Sequence, residues 1–212
     1  MMLPRQLVVL ALFSFIPSFA GSQSLEKLLK AVETGDAMEV GLQLDRGLDA
    51  NAVGPEGVTI LMMAARLGHE AVVALLLQRR AAVEQRTAKG DTALMMASIG
   101  GHLGITKRLL AAGAQINRPG WTPLHYSAFG GNPEVVRLLL ERGADKDAVA
   151  PNGYTALMLA ALNGYSAAAK AILYEDPDLQ HKGPAGESAL GLARKRGDAE
   201  LLELLRRAGA VE

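Results

Sequence analysis

The stretch TPLH at residues 122–125 opens a phrase that the chain writes five times. Thr59, Thr92, Thr122, Thr155 and Ser188 each begin a copy, at steps of 33, 30, 33 and 33 residues. A leucine stands two residues after each hydroxyl, and Gly68, Gly101, Gly131, Gly164 or Gly197 stands nine after it. A run rich in Leu, Val and Ala follows each glycine. Recurrence at one period is the signature of a repeat array. A sixth copy lies upstream without the hydroxyl opening: Gly35, Gly47 and Asn51 sit one period before Gly68, Arg80 and Glu84.

The physics of one copy follows from its residue types. A Ser or Thr at a helix N-cap accepts from an otherwise orphan backbone N–H, and Pro123 fits the first helical position, where its missing donor costs nothing. The helix runs about eight residues to the glycine, which takes the positive φ that reverses the chain. A second helix follows through segments such as EAVVALLLQRR at 70–80 and PEVVRLLLER at 133–142. Apolar residues cover so much of each short helix that a single hairpin leaves them wet, so the copies must stack and share a core.

With TPLH and its 33-residue spacing, the chain resembles the ankyrin repeat family from about Leu25 to the C-terminus. GADKDA at 143–148 and AGAQIN at 112–117 resemble the closing phrase that leads into the next repeat's finger. The resemblance implies an all-α solenoid of about six helix-turn-helix repeats with short β-hairpin or loop fingers. The repeats fall at about 25–53, 54–86, 87–117, 118–149, 150–182 and 183–212. Repeat six carries Arg194, Lys195, Arg196, Arg206 and Arg207 where inner copies are mostly small or apolar, and repeat one lacks the Thr-x-Leu opening. Both departures are expected of capping repeats with a wettable outer face.

The first twenty residues follow another logic. Arg5 precedes the apolar run LVVLALFSFI at 7–16, Pro17 breaks it, and Ser18-Phe19-Ala20 offers small residues at a cleavage site. This reads as a secretory signal peptide, residues 1–20, with a mature chain beginning at Gly21; the apolar run is shorter than the roughly 20 residues of a membrane span. A periplasmic location is expected, with secretion as the alternative. Cleavage removes Arg5 and leaves charges near balance, since the whole chain has 22 basic and 22 acidic residues. Near-neutrality gives no reason to expect nucleic acid. The absence of cysteine removes disulfides, thiol nucleophiles and zinc-thiolate sites.

Catalytic signatures are missing. There is no Walker loop, GxSxG or GxGxxG between strand and helix, and His69-Glu70 starts like HExxH until Val73 spoils it. Residues in equivalent positions of adjacent repeats stand too far apart to share a metal, so His69, His102 and His125 read as structural and His181 as an exposed finger residue. Met62, Met63, Met95, Met96 and Met158 recur in register with leucines and read as core filling rather than oxidation targets. The Arg194–Arg196 run reads as a solvated cap rather than a site for an acidic partner. No enzyme, cofactor or metal is expected.

The family resemblance implies that partners bind the concave face, through the finger tips and the residues just before the mid-repeat glycine. Before the N-caps stand Val58, Asp91, Trp121, Tyr154 and Glu187; before the glycines stand Arg66-Leu67, Ile99-Gly100, Phe129-Gly130, Leu162-Asn163 and Lys195-Arg196. The centre of this set, Trp121, Phe129, Tyr154, Ile99 and Leu162, is apolar, and Val58, Arg66, Leu67 and Asp91 extend it. Exposed aromatic clusters anchor protein interfaces. The finger between Asn117 and Thr122 is three residues short, which predicts a notch beside Trp121. The expected function is a monomeric, non-catalytic protein-binding module that leaves the membrane after cleavage. Exported bacterial proteins that it resembles include accessories to protective enzymes such as catalases and antagonists of secreted toxins; a groove enzyme would need converging polar groups that this centre lacks.

Overall fold

The structure, a computed structural model, describes residues 19–211. Residues 1–18 of the expected signal peptide lie outside the described residues, and the expected cleavage after Ala20 falls in the first turn of the first helix. Twelve α-helices pair into six hairpins among the described residues. They are α1 (Phe19–Thr34) with α2 (Ala37–Asp45), α3 (Ile60–Leu67) with α4 (Glu70–Gln78), and α5 (Ala93–Gly100) with α6 (Leu103–Ala111). These are followed by α7 (Pro123–Phe129) with α8 (Pro133–Glu141), α9 (Ala156–Asn163) with α10 (Ser166–Leu173), and α11 (Ala189–Arg196) with α12 (Ala199–Arg207).

The repeated hydroxyl starts each inner helix from the second repeat on. Thr59, Thr92, Thr122, Thr155 and Ser188 accept from the backbone N–H three residues ahead, at 3.1, 3.4, 3.4, 3.3 and 3.2 Å. Gly68, Gly101, Gly164 and Gly197 close four of these helices in the left-handed region. The next turn, after the outer helix, needs the same geometry at Gly47, Gly113, Gly143 and Gly209, and Arg80 and Asp176 hold it without glycine, at φ 60° and 51°. Both residues sit in the left-handed region that costs a side chain energy.

Inner helices stack on inner helices, α3 through α11 in order, and outer helices stack on outer ones. Met62, Met95 and Met158 are buried in this stack, and Met63 and Met96 pack at its margin. The fingers are minimal: single antiparallel bridges join Val53 to Thr59 and Val149 to Thr155, with no longer ladder among the described residues.

Cross-repeat hydrogen bonds fix the stacking. Asn51, Glu84, Asn117 and Asp147 each accept from a backbone N–H of the following repeat, at Ala82, Gln115, Asp145 and Asp178, over 2.7–2.9 Å. On the inner side, His69 and His102 each donate from Nε2 to a carbonyl of the preceding repeat, Glu33 and Arg66, at 3.0 Å. Asn132 does the same to Ile99 at 2.9 Å, Asn163 to Phe129 at 3.5 Å and Arg196 to Leu162 at 3.4 Å.

The stack is not uniform along its length. One buried cluster extends from Leu28 to Ala114 and a second from Leu124 to Ala210, with Leu110 packing on both. Ser98, Thr106, His125 and Ser127 are buried near their meeting point, between repeats three and four. The three hydroxyls turn back onto carbonyls of their own helices, at Leu94, His102 and Leu124.

Candidate partner-binding surface

The shortened finger before Thr122 brings Trp121 down against the first turn of α7. Its ring meets His125 edge-on at 5.8 Å between centroids and Tyr126 edge-on at 6.0 Å. His125 is fully buried and completes a capping box: Thr122 N–H donates to Nδ1 at 3.1 Å, so Nε2 carries the proton and donates to the Ala148 carbonyl at 2.9 Å. Burial pushes the His125 pKa below its usual value, against the raising effect of its backbone partners and Asp145. Trp121 thus rests on a neutral ring that is locked in place. Beneath the same finger, Arg118 is paired with Glu84 of the second repeat.

Ile99, Trp121, Tyr126 and Phe129 line a hollow of about 190 Å³, walled almost wholly by apolar atoms. Phe129 is 47% exposed on its rim. The Tyr126 hydroxyl donates to Asp91, which also accepts from the Thr87 hydroxyl at 3.1 Å. Burial, with the Asp91 bond and charge behind it, holds the Tyr126 phenol well above its ordinary pKa, so it remains a neutral donor. Asp91 therefore braces the hollow from below.

Tyr126 is the residue that the sequence reading missed. It occupies one column with Met63, Met96, Leu159 and Leu192, a recurrence that was available as a signal. Three expected residues, Trp121, Phe129 and Ile99, do meet in one hollow. Tyr154 does not join them: its hydroxyl donates to Glu187 at 2.5 Å and its ring lies over Gly183, toward the last repeat. That bond raises the Tyr154 pKa and lowers that of Glu187. Val58, Arg66 and Asp91 line a separate hollow of about 640 Å³ with Lys89 and Met96, in the second and third repeats. Leu67 and Leu162 are exposed, at 47% and 40%, on neither wall. His181 differs from expectation: it is partly buried and its Nε2 donates to the Gly153 carbonyl at 3.0 Å, which ties one finger to the next.

Among the described residues, no cluster of three His, Asp or Glu side chains is arranged to hold a metal, and no helix is long and apolar enough to cross a membrane. What the surface does offer is rigidity. The carbonyls of Arg66, Ile99, Phe129 and Leu162 are each held by the following repeat, so the inner row bearing these side chains has a fixed backbone.

The family pattern for ankyrin repeats, in three copies, matches residues 28–119 and 116–182, and the chain belongs to the ankyrin repeat family. The crystal structure of the human ASB11 ankyrin repeat domain superposes with a TM-score of 0.81 at 26% identity, covering 87% of this chain and 84% of that one. Among curated proteins, human protein phosphatase 1 regulatory subunit 27 is 42% identical over 50 residues, 22% of this chain and 32% of that protein. Human NAD-capped RNA hydrolase NUDT12 is 49% identical over 41 residues, 19% of this chain and 9% of that protein. The chain spans less than a third of these two relatives, and the enzyme among them matches over a repeat segment alone. Ankyrin repeats are in general non-catalytic scaffolds for binding other proteins.

Proposed function

We propose that this protein is a non-catalytic binding module that acts in the periplasm as a monomer and grips a partner protein through its concave face. Ile99, Trp121, Tyr126 and Phe129 form the centre of the contact. The observation that carries this reading is the apolar hollow beside the shortened finger, with a half-exposed Phe129 on its rim. A hollow of this size is smaller than the roughly 300–1,000 Å³ of small-molecule sites, and it suits one side chain of a macromolecule. Aromatic anchors in such positions carry most of an interface's energy. Asp91 supports the wall through Tyr126.

Export rests on the charged start, apolar run and small-residue site of residues 1–20. N-terminal sequencing of protein from fractionated cells is expected to begin at Gly21; an intact Met1 chain in the cytoplasm would end the periplasmic reading. The binding role is tested by quantitative pull-down from periplasmic extract with the wild-type protein and with Phe129→Ala. A protein captured by the first and lost with the second, at unchanged melting temperature, is the expected result. Equal capture by both would remove the hollow from the interface.

A further inference from the structure

The side chains two residues before the mid-repeat glycine form one row along the inner helices, Arg66, Ile99, Phe129, Leu162 and Lys195. Its centre is apolar. Its last member, Lys195, lies on the rim of a hollow of about 290 Å³ that also holds Lys182, Arg194 and Glu187. Three cations there face one carboxylate, and Glu187 is nearly buried, with the Tyr154 hydroxyl donating to it. Lys195 has no ion-pair partner among the described residues, although it lies close enough to Glu187 to favour that carboxylate's charged form. At the other end of the row the balance is even, with Arg66 and Lys89 beside Glu56 and Asp91. The groove is therefore apolar in the middle and basic at its C-terminal end only.

Spacing selects the shape of what fits. Packed helices stand about 8–10 Å apart, so Ile99, Phe129 and Leu162 repeat at about that interval. An α-helix rises about 1.5 Å per residue and returns to nearly the same face after seven residues, about 10.5 Å further on. An extended strand covers a similar distance in three residues, but its side chains alternate, so successive knobs at that interval point to opposite faces. A polyproline II chain also returns to one face, every three residues and about 9.3 Å on, but it leaves its backbone groups without partners against the apolar wall of Ile99, Trp121, Tyr126 and Phe129. The helix satisfies its own and presents three knobs in step with three repeats.

We infer that the partner element is an amphipathic α-helix with large apolar residues at i, i+7 and i+14 over Ile99, Phe129 and Leu162. Acidic residues one or two turns beyond one end meet Lys195 of the sixth repeat and Lys182 just before that repeat. This rests on the concave-face reading and adds the partner's chemistry and direction: the acidic end lies over repeat six, and charge fixes that orientation.

The test is selection of a random 24-residue peptide display library on the folded protein, followed by titration of the enriched peptides against variants. Enriched sequences are expected to show the seven-residue apolar spacing with Asp or Glu beyond one end. Their affinity should fall at least tenfold with Lys195→Glu and with Phe129→Ala, and weaken with added salt. A peptide carrying Lys in place of its acidic residues should prefer the Lys195→Glu protein. Peptides that need Phe129 but lack acidic ends, or ignore Lys195→Glu, would overturn this inference and leave the concave face as the site. Peptides indifferent to Phe129 would overturn both, and a selection that enriches nothing also counts against the helix. Thermal melts of each variant separate lost binding from lost folding.

Discussion

Arg80 holds a backbone conformation that glycine holds at Gly47, Gly113, Gly143 and Gly209, and a side chain at those glycine positions would meet nothing within 4 Å. The cost at Arg80 is thus backbone strain rather than crowding. Arg80→Gly is expected to stabilise by up to about 1 kcal/mol, the strain relieved exceeding the entropy that glycine adds to the unfolded chain. A lower melting temperature in that variant would mean that the exposed Arg80 side chain makes contacts that outweigh its strain. His125 gives a second residue-scale test. Its folded pKa lies below its unfolded one, so the folded state binds fewer protons, and its contribution is full above the unfolded pKa of about 6.5. That contribution falls as pH drops from there toward the folded pKa. Denaturant titrations from pH 8 to pH 5 should show a smaller acid loss for His125→Asn than for wild type; parallel profiles would contradict the neutral, buried ring. Both residues could be found by register: Arg80 breaks a column of glycines, and His125 belongs to TPLH.

At the scale of the element, the repeated hydroxyls and glycines made the starts of five inner helices and most of their ends legible, because caps are local and depend on residues three or four apart. The bonds that align one repeat on the next were less legible. Asn117 accepts from Asp145 N–H at 2.9 Å and donates to the Gly143 carbonyl at 2.7 Å, across 28 and 26 residues. No local pattern announces such a pair; only the recurrence of Asn51, Glu84, Asn117 and Asp147 at one phase does. Asn117→Ala removes both bonds and is expected to lower stability by about 1–2 kcal/mol, read from urea unfolding. Lys89→Ala, an exposed finger substitution, should stay within about 0.5 kcal/mol. An equal effect from the two would mean that the cross-repeat bonds contribute nothing net. The candidate site was legible to the same degree: Trp121, Phe129 and Ile99 followed from their phase. Tyr126 and the turn of Tyr154 toward Glu187 depended on which way a ring points, which phase does not set.

Across the whole molecule, stability in a stacked array is a sum of repeat and interface terms, so the weakest interface decides where the stack opens. The two apolar clusters meet between repeats three and four, around Ser98, Thr106, His125 and Ser127 and the short finger, and the stack is expected to part there. Hydrogen exchange under mild denaturant should divide the protein into two cooperative units, repeats one to three and four to six; uniform protection across that boundary would show a single unit. The proposed partner centre sits on this same seam. A helix spanning Ile99, Phe129 and Leu162 would clamp the two halves together, so binding and global stability should be coupled. The most direct measurement of the central claim is photo-crosslinking in the source cells, with a benzophenone amino acid placed at Phe129 or, as a control, at Tyr174. Tyr174 is 89% exposed beside the outer helices, so it samples the opposite face with at least equal access. The account predicts one discrete protein adduct from position 129 and none of that mass from position 174. An adduct at 174 alone, or at neither position, would contradict a concave-face interface.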